Sequence, residues 1–168
     1  MSFVCSVCGE THDGLPALTL KRPDYWLTLT PEQQAEGKAD DDLCVTPDGH
    51  FFVRCVLVIP LLDGPERTLE FGPWSSLSED NFWRYVGTFK DPDQSELGDM
   101  SGWLSNEVRG FPGSLNLKCR VCPQDNDQRP LVQLEPTDHP LAVAQREGIS
   151  FARALKLTHQ ATEVPPGI

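Results

Sequence analysis

The chain has 168 residues and a net charge of −11. That length suits one domain with a real core, and the acidic field makes a phosphate backbone a poor partner, so nucleic acid is not expected. Apolar content of 39% with 13 Gly and 15 Pro points to a turn-rich fold rather than a helical bundle.

No run of about 18 apolar residues is present, so no membrane-spanning helix is expected. "MSFVCSVCGE" lacks the basic and apolar regions of a secretion signal. The expected location is the cytoplasm, where the six cysteines stay reduced and either bind metal or are buried.

Residues 1–16 read as a cysteine knuckle followed by the turn "THDGLP". Thr30 before Pro31 is a helix start, hydroxyl cap then proline at the first helical position, and predicts a short helix to about Glu36. "GKADDD" follows as a solvated acidic loop. "PDG" between two apolar runs predicts a hairpin, with a short strand at Leu43–Thr46 and a longer one from Phe51 to Ile59. A further strand is predicted from Thr68 to about Ser75. Ser78 caps the helix "SEDNFWRYVGTF", where Glu79 and Asp80 suit the positive end of the helix dipole. Phe82, Tyr85, Val86 and Phe89 then share one face, set to pack on a sheet.

"KDPDQSELGDMSG" reads as a polar loop, and Gly110 and Pro112-Gly113 punctuate the stretch after it. Strands are predicted at Leu115–Val121 and "LVQLE". "PTDHPLAVAQREG" reads as a short helix opening at Asp138 or His139 and stopping at Gly148. Ser150 caps a last helix to about His159, and residues 161–168 read as a flexible tail. The expected fold class is α+β: a single domain, 1–160, with a twisted, mainly antiparallel sheet, packed helices and an N-terminal zinc-knuckle-like element.

Two C-x-x-C pairs, Cys5/Cys8 and Cys119/Cys122, carry the chemistry. Four sulfurs suit tetrahedral Zn²⁺, and soft thiolates favour zinc or iron–sulfur over magnesium or calcium. The pairs stand about 110 residues apart. Closing such a loop costs roughly 4 kcal/mol plus a constant, against about 10–16 kcal/mol from a structural zinc site. A structural Zn²⁺ held by Cys5, Cys8, Cys119 and Cys122 is therefore expected, clamping residues 3–16 to the strand 115–122. His12, four residues after Cys8, and Cys44 are alternate ligands. Redox chemistry at one pair, or burial without metal, are the other readings. Cys55 reads as a core residue.

Four thiolates leave no open coordination position, which argues against hydrolysis. No catalytic residue is assigned. An enzyme, the alternative class, would use His139 and Asp138 or an open zinc site. His50 reads as a turn residue, and His159 as a complement to its helix end. Of the four tryptophans, Trp74 and Trp103 stand at element edges and are the candidate partner-binding residues; burial is the competing reading.

"CSVCGETHDGLP", "DLCVTPDGHFFVRCVLVIPL", "GPWSSLSEDNFWRY", "GWLSN", "LNLKCRVC" and "RPLVQLEPTDHPLAVAQREGI" together resemble the bacterial domain of unknown function family 2199 over about residues 3–155. That family has no established general activity, so the resemblance implies a class and no mechanism. It implies that Cys5, Cys8, His12 and Cys44 are family-like positions. It also implies that position 122, where a His can stand, is a ligand, and that Cys44 or His12 can replace Cys119.

The expected function is that of a non-enzymatic, acidic, zinc-stabilised binding module with a basic protein partner. One concrete form is an immunity protein or antitoxin that covers a toxin's active site. A structural subunit of a larger assembly is the third class.

Overall fold

The fold comes from a computed structural model that describes residues 2–162, without the side chains of 160–162. Strands β1 (Ser2–Val4) and β2 (Thr11–Asp13) form an antiparallel hairpin with Phe3 opposite His12. After β3 (Leu18–Thr19), a single helical turn, α1 (Asp24–Leu27), buries Trp26.

Helix α2 (Pro31–Glu36) starts as Thr30 predicts. The Gln33 N–H donates to Thr30 Oγ1 at 3.2 Å, and the Thr30 N–H donates to Gln33 Oε1 at 2.9 Å. This capping box satisfies two orphan donors at once. None of its residues is buried, so the cap carries an unusual share of the helix's stability. Thr30→Ala is expected to cost about 1 kcal/mol and to lower the thermal midpoint by about 2–4 °C, read from a melting curve.

"GKADDD" is not all loop: β4 (Lys38–Ala39) pairs with β5 (Leu43–Val45), while Asp40 closes the turn by accepting from the Asp42 and Leu43 N–H groups. The "PDG" hairpin forms as expected between β5 and β6 (Phe51–Arg54). The long strand expected to reach Ile59 is two, β6 and β7 (Leu57–Pro60), in different sheets. The predicted Thr68–Ser75 strand likewise divides into β8 (Thr68–Gly72) and β9 (Trp74–Leu77).

Both breaks have one cause. Pro73 has no N–H to continue a ladder, and its carbonyl accepts from the Cys55 N–H at 2.8 Å. The Val56 N–H then turns to Pro130 O at 2.9 Å, and the chain changes sheet. The resulting sheets have the orders β4-β5-β6-β9 and β3-β8-β7.

Helix α3 (Glu79–Gly87) is capped by Ser78 and buries Phe82 and Tyr85. A 3₁₀ turn, Gln94–Leu97, follows. Strand β10 (Met100–Trp103) starts inside the stretch read as a polar loop and joins β11 (Lys118–Cys122) and β12 (Leu131–Leu134) in an antiparallel sheet. Its Ser and Gly concealed it, although Met100 and Gly102 alternate inward. Helices α4 (Pro140–Glu147) and α5 (Phe151–Thr162) complete the described chain. Residues 161 and 162 belong to α5, and the rest of the expected tail lies outside the described residues.

All named strand pairs are antiparallel except β3 with β8, so the α+β class holds. The main core joins β7, β8 and β11 to α3, α4 and α5 through Ile59, Leu69, Val121, Phe82, Leu141 and Leu157. A smaller one holds Trp26, Cys44, Phe52 and Trp74.

Candidate metal centre

The turn between β1 and β2 makes the knuckle. The Cys5 N–H donates to Glu10 O and the Gly9 N–H to Cys5 O, both at 2.8 Å. Gly9 holds φ +77°, a left-handed conformation open to glycine at little cost. The Val7 N–H points at Cys5 Sγ, 3.4 Å away. Hairpin register then places His12 over the knuckle, with Nε2 3.2 Å from Cys8 Sγ.

The fourth group arrives from the far end of the chain. Helix α5 docks through Ala154, Leu155, Leu157 and Thr158, all buried, and Phe151 meets Phe3 edge-on at 5.0 Å. This aims His159 Nε2 at Cys5 Sγ, 3.1 Å away. The ligand atoms of Cys5, Cys8, His12 and His159 all lie within 4.8 Å of one another.

These residues fit a tetrahedral ion. Zinc bonds of about 2.0–2.3 Å require ligand–ligand edges of about 3.3–3.8 Å. The two short S···N edges need to open by only a few tenths of an ångström. Cys5 is buried, and burial alone raises its thiol pKa. The Cys8 and Val7 N–H groups, His159 and the Cys8 side chain outweigh that and bring it down to about 6.

The four thiols outside this cluster behave oppositely. Burial pushes Cys119 up to about 11 despite the Ser75 hydroxyl at 3.3 Å, and pushes Cys122 to about 11 with Asp99 adding to it. Burial raises Cys44 to about 12 and Cys55 well above the ordinary thiol range.

Of the four thiols expected to meet, the structure brings together Cys5 and Cys8. The alternate His12 joins them, and Cys44 lies in the smaller core. Cys119 and Cys122 are on β11, the central strand of its sheet. An offset of three in an extended strand sends side chains to opposite faces, so this C-x-x-C cannot chelate as the turn at Cys5–Cys8 can. The knuckle docks on α5 where the strand 115–122 was expected. Sequence reasoning missed His159. Its signal was spacing: with Phe151 and Leu155 it repeats every fourth residue, on the helix face that packs.

His139 and Trp74 serve the fold. His139 caps α4, its Nδ1 accepting from the Leu141 N–H at 3.1 Å while Nε2 meets Pro112 O at 3.0 Å. Both ring nitrogens are thereby engaged. His50 pairs with Asp48 at 3.4 Å and its ring lies 4.5 Å from that of Tyr25, tilted by 58°; the Tyr25 hydroxyl donates to Asp48. Trp74 is fully buried, with the guanidinium of its cross-strand neighbour Arg54 over the ring, and cannot meet a partner. Trp103 is 52% exposed.

A bound metal must compete with protons for its thiolates and imidazoles, so affinity falls as pH falls. The lowered pKa of the Cys5 thiol, about 6, weakens that competition at neutral pH. A zinc-loaded sample titrated from about pH 8 to about pH 4 is expected to release metal progressively as protons displace it, read with a chromophoric chelator.

Fold and site together define a mainly antiparallel α+β domain with a Cys₂His₂ donor group. The chain belongs to the family described as "Uncharacterized protein conserved in bacteria (DUF2199)", whose model matches residues 4–149. Cys5, Cys8 and His12 lie inside that match and His159 beyond it. Neither a curated protein nor a solved structure matches the chain.

Proposed function

We propose that this protein is a non-enzymatic, acidic binding module of the cytoplasm, stapled by a structural zinc ion, whose partner is a protein with a basic surface. The observation that carries this reading is the four-donor group Cys5, Cys8, His12 and His159. Four protein ligands fill a tetrahedral shell and leave no position for an attacking water. Thiolate with imidazole selects zinc over magnesium or calcium. The net charge of −11 supplies the field that steers a basic partner on and rejects acidic ones. One concrete form is an immunity protein or antitoxin that covers the active site of a basic toxin.

The test has two arms. Elemental analysis of the purified chain is expected to find one zinc per molecule, lost in Cys8→Ser. Affinity capture from the native host is expected to retain a basic protein whose binding weakens steeply with salt. Hydrolytic activity that follows the metal, or capture of acidic partners alone, would overturn the proposal.

A further inference from the structure

Two sheets end on strands that face each other, β9 and β10. They pair only at their inner end, through the Ser75–Leu104 bridge and the Ser105 N–H to Trp74 O bond of 2.8 Å. One step further out, the Trp103 N–H donates to Ser76 Oγ at 3.1 Å. Gly102 makes the crossing possible, since a Cβ there would overlap the Ser76 carbonyl oxygen. Beyond it the strands open on a concavity of about 570 Å³, with Ser76 and Leu77 on one wall and Ser101 and Trp103 on the other. A second concavity of about 360 Å³ shares His50, Ser76 and Trp103 with the first and continues to Tyr25 and Leu115.

Antiparallel alternation decides which backbone groups look into this opening. Leu104 bonds toward the β11 side, its N–H to Leu117 O at 2.8 Å and its carbonyl from the Asn116 N–H at 2.7 Å. Gly102, two residues back, faces the same way. Trp103 and Ser101 therefore turn their N–H and C=O groups toward the opening. Those of Trp103 are taken by the Ser76 and Ser105 hydroxyls. Those of Ser101 pair with none of the described residues. An unpaired edge is a template for an added strand, with alternate side chains of the incoming segment falling into adjacent pockets.

The chemistry of the walls selects the segment. Trp103, Tyr25 and Leu115 are at least one-third exposed and offer apolar contact. Glu79 lines the first concavity, Asp24 the second, and Asp48 flanks His50; against them stand Lys118 and Arg120, the latter opposite Ser101 and paired with Asp99 at 3.8 Å, so carboxylates outnumber cations. We propose that an extended segment of a basic partner protein adds as a strand to the outer edge of β10, bonded to Ser101, with a large apolar side chain seated against Trp103. This rests on the basic-partner reading above and names its binding surface.

The test titrates ¹⁵N-labelled, zinc-loaded protein with two short synthetic peptides, one alternating Lys and Leu, the other Glu and Leu. The Lys–Leu peptide is expected to bind, with chemical-shift changes concentrated at Ser76, Ser101, Gly102 and the Trp103 indole, and with slowed hydrogen exchange at the Ser101 amide. Ser101→Pro removes that N–H without touching the β11 ladder, and Trp103→Ala removes the apolar contact. Each is expected to weaken binding about tenfold, with an unchanged thermal midpoint. Undiminished binding in both variants, or shifts on other acidic faces, overturns the slot and leaves the basic-partner reading standing. Preference for the Glu–Leu peptide, or no binding of either, overturns both. Concentration-dependent shifts at the same residues without peptide give the edge to a second copy of this chain and overturn the partner assignment.

Discussion

Stripping the metal at neutral pH is expected to lower the thermal unfolding midpoint by about 8–16 °C. Ligand at a thousandfold excess over its dissociation constant stabilises the native state by about 4 kcal/mol, and each kcal/mol moves the midpoint of a domain this size by about 2–4 °C. The structure shows where the loss falls. A two-stranded hairpin is marginal alone, and β1–β2 meets α5 through Phe3 on Phe151 and Cys5 on His159. Chelation therefore frees the hairpin first, read as faster amide exchange at Phe3 and His12. Cys5→Ser and His159→Ala should each abolish stoichiometric zinc, whereas Cys119→Ser should keep one zinc per chain. A midpoint indifferent to chelator, or zinc lost with Cys119, would contradict the assignment.

Trp74→Ala is expected to cost about 3–5 kcal/mol, the range for emptying a buried aromatic site. The indole N–H donates to Leu20 O at 2.8 Å, and Arg54 lies over the ring at 5.2 Å with its Nη2 on the same carbonyl at 2.7 Å. Losing the ring strips Arg54 of its cover and loosens β3's connection to β9. Trp74→Phe should recover part of the loss by refilling volume without the N–H. Denaturant unfolding measures both. A stable Trp74→Ala protein defective only in partner capture would restore the role that burial excludes.

Local signals carried the elements built from local physics. Thr30-Pro31, Ser78 and Ser150 each announce a cap, and each cap forms. The "PDG" hairpin is equally self-contained. What failed was decided across the chain. Cys55 and Pro73 break two apolar runs because each faces the other, and neither run alone shows it. The structure does not gather the four thiols, for a reason already present in the sequence: a strand through Cys119 cannot also be a knuckle closing on Cys122. His159 lay hidden because a helix donates a ligand through its docking angle, which packing determines and spacing only hints at.

The hydrogen-bonded pair Cys5 and His159 is 154 residues apart in the chain. On a ribosome adding about 5–20 residues per second, the first thiol waits roughly 8–30 s for the last imidazole. A nascent chain has three donors, and an ion loaded early leaves one face exposed to scavenging thiols. On the proposed zinc site, stable metal retention would report that translation has passed α5, and ribosome-stalled chains ending before it should surrender zinc to a weak chelator that finished molecules resist.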